Sequence, residues 1–149
     1  SRKDFYEVSD VEPSPNHALI AWAEDTVGDE TYNIKFRDLE SGSDFSDVIP
    51  GTAGEFVWSN DSQVILYTLK DDLDRPYKVM RHVLGTAADL DELLFEEKDP
   101  QFYIELHKSR DERWIFISSG SAITSETRAL SARDIGLSAG VGGGVGVEE

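Results

Sequence analysis

Apolar residues in this chain gather into three short runs, Leu19 to Ala23, Val64 to Leu69 and Trp114 to Ile117, each nearly unbroken by a polar side chain. Runs of that length and density fit strands covered on both faces. Just ahead of each lies a polar cluster, Pro15-Asn16-His17, Asn60-Asp61-Ser62 and Arg110-Asp111-Glu112, whose side chains suit tight hairpin turns. The next runs alternate instead. Tyr32, Ile34 and Phe36 point one way and Asn33, Lys35 and Arg37 the other, as in half-exposed strands. This pattern recurs without a gap: SPNHALIAWA begins at Ser14, SNDSQVILYT at Ser59 and SRDERWIFIS at Ser109, offsets of 45 and 50 residues. Eighteen residues after each serine stands Tyr32, Tyr77 or Thr127, opening the second run. Asp47-Val48-Ile49 and Glu92-Leu93-Leu94, beginning 33 residues after the first two serines, open a further strand.

A unit of about 40 to 50 residues holding about four short strands is the size of one β-propeller blade. The pattern therefore predicts an all-β chain of about three four-stranded antiparallel blades, at residues 5–49, 55–97 and 102–134. Tyr6 to Val11, Glu55 to Trp58 and Phe102 to His107 are the expected innermost strands. The third blade is incomplete, because its outermost strand would fall at Gly142 to Gly144. From 135 to 149 the chain carries six glycines and leaves the repeat, which reads as a tail or linker. A β-sandwich is the competing architecture, since short strands at regular spacing describe it too.

Composition narrows the functional classes. The 149 residues hold 14 Lys and Arg against 30 Asp and Glu, a formal net charge of -16, which repels phosphate backbones and anionic lipid heads. Nucleic acid and membranes are thus unexpected partners, whereas cationic peptides would be attracted. There is no cysteine for a disulfide or thiolate metal site. No apolar stretch approaches the ~20 residues of a membrane span, and no apolar signal region follows Ser1-Arg2-Lys3, so a cytoplasmic location is the expectation.

Catalytic patterns are sparse. His17, His82 and His107 show no metal-ligand spacing and read as turn or strand-surface residues. Asp71, Asp72 and Asp74 lack the glycine and distal glutamate of a calcium loop and read as a solvated hairpin tip. Asn60-Asp61-Ser62 is formally a glycosylation sequon, but it falls in an expected turn. Gly136-Leu137-Ser138-Ala139-Gly140 fits the G-x-S-x-G nucleophile elbow, yet the glycine-rich continuation opposes the helix that an elbow needs, and no histidine follows Ser138. No cofactor, metal or catalytic residue is expected.

Four longer segments carry a family likeness: AEDTVGDETYNIKFRDLESG (Ala23 to Gly42), FVWSNDSQVILYTLKDD (Phe56 to Asp72), RPYKVMRHVLGT (Arg75 to Thr86) and FEEKDPQFYIELHKSRDERWIFISSGSAITSETRAL (Phe95 to Leu130). From about Phe5 to Asp134 the chain resembles the propeller of oligopeptidase B, in the prolyl oligopeptidase family of serine peptidases. The resemblance implies three of seven blades of a substrate gate, stacked in the whole enzyme on an α/β-hydrolase domain with a Ser-Asp-His triad. It also implies cleavage of oligopeptides after Arg or Lys. The triad and the residues selecting basic side chains match no position here, so the chain alone should be inactive.

Two classes of function stand at this point: a gating segment of such a peptidase, or a free-standing, non-enzymatic propeller-like binding module. For the first, Glu24 and Asp25, directly after the first apolar strand, are candidate domain-interface residues facing basic groups of the catalytic domain. In either case an open arc of blades would expose apolar ends through which it could self-associate.

Overall fold

The computed structural model describes residues 5–136. In chain order the strands are β1 Glu7–Pro13, β2 Leu19–Asp25, β3 Tyr32–Asp38, β4 Asp44–Trp58, β5 Val64–Lys70, β6 Pro76–Val83, β7 Glu92–Glu96, β8 Tyr103–Lys108, β9 Trp114–Gly120 and β10 Ser125–Ser131. A short 3-10 turn at Ala88–Leu90 precedes β7. Every neighbouring pair is antiparallel and consecutive in sequence, giving a seven-stranded sheet β1 to β7 and a three-stranded sheet β8 to β10.

The repeat visible in the sequence is a repeat of one turn. In each β1–β2-type hairpin the leading serine closes the loop: Leu19, Val64 and Trp114 donate their N–H groups to the Oγ of Ser14, Ser59 and Ser109 at 3.0, 3.1 and 3.0 Å. Each hydroxyl donates in turn to Asn16, Asp61 or Asp111, two residues on. The next position, His17, Ser62 or Glu112, takes a left-handed φ of 62°, 61° or 60°. Polar side chains that bond their own backbone thus define the turn, as their types predict. Successive turns are also tied together, Asn16 N–H to Ser62 Oγ and Asn60 Nδ2 to the Glu112 carbonyl.

The sequence pattern predicts separate sheets with a break between residues 49 and 55, but β4 runs straight through that interval. Its first part pairs with β3 (Ile34 with Ile49) and its second with β5 (Phe56 with Tyr67), so the first two blades share one hydrogen-bonded sheet. The strand turns from blade to blade at two left-handed glycines, Gly51 (φ 71°) and Gly54 (φ 98°). Gly54 is also crowded, since a Cβ there would lie 2.8 Å from the Tyr32 ring.

Burial explains the apolar runs. Val64, Ile65, Leu66 and Tyr67 of β5 are all at most 3% exposed, because the middle blade has a neighbour on each side. Ile65 and Tyr67, with Phe56 of their own blade, join a core with Leu19, Ile34 and Phe36 of the first blade, while Val64 and Leu66 join a second core with Ile104, Leu106, Ile115 and Ile117 of the third. The end blades are covered on one face only. Ala21 and Ala23 of β2 are buried but Ile20 and Trp22 are half-buried, and in β9 Ile115 and Ile117 are buried while Trp114 is exposed. Ile135, beyond the repeat, packs into the second core, and Arg81 donates to the carbonyls of Ile135 and Gly136.

Candidate functional site

β1, the second half of β4 and β8 are the innermost strands of their blades, and side chains rather than ladder bonds stitch them together. Ser9 Oγ donates to the Gly54 carbonyl at 3.1 Å and Trp58 Nε1 to the Glu12 carbonyl at 3.0 Å, joining β1 to β4. Leu106 N–H donates to Glu55 Oε1 at 2.7 Å, joining β8 to β4. Strands stitched so loosely leave a cleft of about 310 Å³ between them, bounded by Asp10, Glu12, Glu55, Trp58, Leu106 and Lys108.

The cleft is mostly acidic, with Asp10, Glu12, Glu55 and Glu112 lining it against one lysine, Lys108. Burial pushes the Glu55 carboxyl up to about 7, the Leu106 N–H opposes this, and the charges of Glu105 and Asp10 add to it. Burial raises Asp10 and Glu12 as well, and for Glu12 the neighbouring Asp10 charge adds to the effect. Burial also lowers the ammonium of Lys108. A cation placed here would favour the ionised form of each carboxyl, so a guanidinium or ammonium group suits the cleft.

The other polar cluster is sealed. His82, expected at a turn or strand surface, is 1% exposed, a correction to that reading. Its Nε2 lies 2.7 Å from Asp47 Oδ2 and its Nδ1 2.7 Å from Asp91 Oδ1, while Tyr67 OH donates to Asp91 Oδ2 at 2.6 Å. The imidazole stacks on Phe36, so the cluster ties the outer strand of the first blade to the second blade from inside. His17 and His107 are exposed. Ser138 lies outside the described residues, and no cluster of potential metal ligands occurs among them.

Residues 1–136 match the family described as prolyl oligopeptidase, N-terminal beta-propeller domain. The chain belongs to that family. It is 38% identical over 136 residues to dipeptidyl aminopeptidase BI of Pseudoxanthomonas mexicana, covering 91% of this chain and 19% of that protein. It is 35% identical over 129 residues to protease 2 of Moraxella lacunata, covering 85% and 19%. Among solved structures it superimposes on oligopeptidase B from Leishmania major with a TM-score of 0.83 and 36% identity, over 87% of this chain and 18% of that one. The chain thus spans about a fifth of the length of these relatives. The all-β propeller architecture read from the repeat is that of the family.

Within this family propeller the two candidate interface acids have partners in their own blade. Glu24, 6% exposed, accepts from Trp22 Nε1 at 2.7 Å, pairs with Lys35 Nζ at 3.0 Å and receives Tyr6 OH. Burial pushes its carboxyl up, but the Trp22 and Lys35 contacts outweigh this and hold it below the ordinary value. Asp25, 1% exposed, accepts the N–H groups of Val27, Gly28 and Glu30 and so shapes the β2–β3 loop. Sequence reasoning passed over Asp10, Glu12 and Glu55. The available signal was that all three lie on, or directly beside, the expected innermost strands.

Proposed function

We propose that this chain is part of the substrate gate of an oligopeptidase B-like serine endopeptidase, which cleaves oligopeptides after Arg or Lys in a catalytic domain encoded elsewhere in the parent. The acid-lined cleft along the innermost strands carries this reading. A peptide with basic residues moving along the axis of the propeller would meet Asp10, Glu12 and Glu55 at the cleft and Glu105 beside it. Such a field raises the local concentration of cationic substrates and turns away anionic ones. The 149-residue chain by itself leaves Arg- and Lys-containing peptides intact, because the nucleophile, acid and base belong to the catalytic domain. Asp25 serves the interface with that domain indirectly, by fixing the loop after β2, and Glu24 by tying β2 to Lys35 of β3 and to Tyr6.

The test uses the full-length peptidase carrying this propeller, with Glu12→Gln and Glu105→Gln combined, two exposed positions beside the cleft. A gate predicts a several-fold fall in kcat/KM for a basic peptide of about ten residues and no change for a single-residue arginine amide. Equal effects on both substrates, or none on either, would remove the gating role.

A further inference from the structure

His82 holds both of its ring nitrogens against carboxylates, and a neutral imidazole cannot donate from both. It has one N–H to give and one lone pair to accept with, whereas an ionised carboxylate has only lone pairs. Yet Nε2 lies 2.7 Å from Asp47 Oδ2 and Nδ1 lies 2.7 Å from Asp91 Oδ1, with the side chains of His82, Asp47 and Asp91 1%, 3% and 1% exposed. Each acid also accepts a second donor. Gly85 N–H donates to Asp47 Oδ2 at 2.8 Å, and Tyr67 OH donates to Asp91 Oδ2 at 2.6 Å. Burial and then Asp91 raise the Tyr67 phenol, so it keeps its proton and stays a donor. The groups around the ring are thus Asp47 of β4, Asp91 ahead of β7, Tyr67 of β5 behind Asp91, and the Phe36 ring of β3. Among the described residues no lysine or arginine bonds to either acid. A lone pair facing a buried carboxylate at this distance is repulsive, and one of the two acids would lack a counter-charge. A ring carrying two N–H groups removes both penalties.

The same contacts hold down a strap. Residues 84–91 leave β6 after Val83 and enter β7 at Glu92, and both ends of the stretch touch the cluster, Gly85 through its N–H and Asp91 through its side chain. Between those ends little holds the chain. Leu84 and Ala88 pack partly against the first core, but Gly85, Ala87, Asp89 and Leu90 are exposed, and the 3-10 turn has no side-chain cap. A cavity of about 350 Å³ lies between residues 85–88 and Ser46, Asp47 and Val48 on β4. A segment with few buried contacts belongs to the low-stability end of a fold, so its order depends on its anchors.

We propose that His82 is an imidazolium donating from both ring nitrogens, and that this buried charge is the clasp that locks the 84–91 strap of the second blade to β4 of the first. Without it two buried carboxylates face the ring site uncompensated, and the strap lifts from the cavity beside it. The clasp is independent of the gating role, since all of its parts lie within these two blades.

The chain has only three histidines, so its imidazole signals can be read one by one. Nitrogen NMR of the 149-residue chain at low salt, with isotope-labelled histidine, is run at pH 8, where a histidine in water is neutral. His17→Gln and His107→Gln serve only to assign the signals. The expected result is a His82 ring with both nitrogens protonated and both N–H protons slow to exchange; a ring with a single N–H overturns the assignment. Hydrogen exchange in the full-length peptidase carrying this propeller reads the clasp. His82→Phe keeps a ring against Phe36 and removes both donors, so residues 84–91 should exchange about ten-fold faster or more, while β2, in the same core, is unchanged. Unchanged exchange in the strap overturns the clasp. Where β2 speeds up together with the strap, Tyr67→Phe decides instead. It takes one donor from Asp91 and should speed the strap alone by about two- to five-fold, and no rise there likewise overturns the proposal.

Discussion

Glu55 shows how a single side chain can both hold the structure and strain it. Its carboxylate caps an edge N–H of β8, yet burial raises it from 4.5 to about 7. A folded carboxyl raised above its unfolded value binds more protons than the unfolded chain between those values, so its contribution to stability falls as pH rises from about 4.5 to about 7 and is level above that. Glu55→Gln keeps an oxygen for the Leu106 N–H and removes the titration. Discounted for partial solvent exposure, it should stabilise the fold at pH 8 by on the order of 1–2 kcal/mol and leave pH 5 nearly unchanged. Urea unfolding at the two pH values checks this, and an unaltered pH slope in the variant would assign the titration elsewhere. The repeat serines give a second comparison. Ser59 is fully buried and Ser109 lies in an exposed turn, so Ser59→Ala should cost about 1–2 kcal/mol and Ser109→Ala less than half of that, by thermal melts of the two variants. These serines were legible in the sequence because turn chemistry is local. The His82 cluster was not, since Asp47, Tyr67 and Asp91 lie 35, 15 and 9 residues away and only the packed blades bring them together.

At the scale of elements, the bend in β4 turns one blade into the next. Gly51 and Gly54 share a left-handed φ, but a Cβ at Gly51 meets open space, whereas one at Gly54 strikes the Tyr32 ring. Gly51→Ala should therefore cost about 1–2 kcal/mol, the backbone strain alone, and Gly54→Ala clearly more because packing strain adds to it. Comparable denaturation midpoints for the two variants would mean that β4 relaxes as a whole. The connection from β7 to β8 is held differently, by the Arg75 guanidinium reaching three carbonyls and the Asp71 carboxylate. Arg75→Ala should therefore speed amide exchange in residues 97–102, and Arg75→Lys, which offers a point charge where a planar fork is needed, should show nearly the same rise. Strands and hairpins were readable from the alternation and apolar runs because those patterns record which faces are covered. The continuity of β4 was not readable, because glycines that mark a loop in one setting mark a bend within a strand in another. The acidic cleft was hidden for a related reason: Asp10, Glu12 and Glu55 acquire a common function only when separate blades set their innermost strands side by side.

At the scale of the whole molecule, the asymmetry between blades sets the solution behaviour. The middle blade buries both faces of β5, whereas the first leaves Ile20 and Trp22 half-covered and the third leaves Trp114 exposed at 40% and Phe116 half-covered. Known propellers close with about four to eight blades, so an arc of three has two sheet faces that a ring would cover. Repeat arrays without polar caps associate through such faces. The charge of -16 opposes that contact over a Debye length of about 10 Å at 0.1 M salt and only about 3 Å at 1 M. Two terms of opposite sign and different salt dependence therefore compete, and screening removes only the repulsive one. The isolated chain should sediment as a smaller species at low salt and shift to dimers or larger forms as salt rises. Trp22→Ser together with Trp114→Ser should reduce the shift, because it removes apolar area from both ends without touching either core. A chain that remains monomeric from 0.05 to 1 M salt, with a sharp cooperative melt, would show that the arc is self-sufficient and that its end faces need no neighbour.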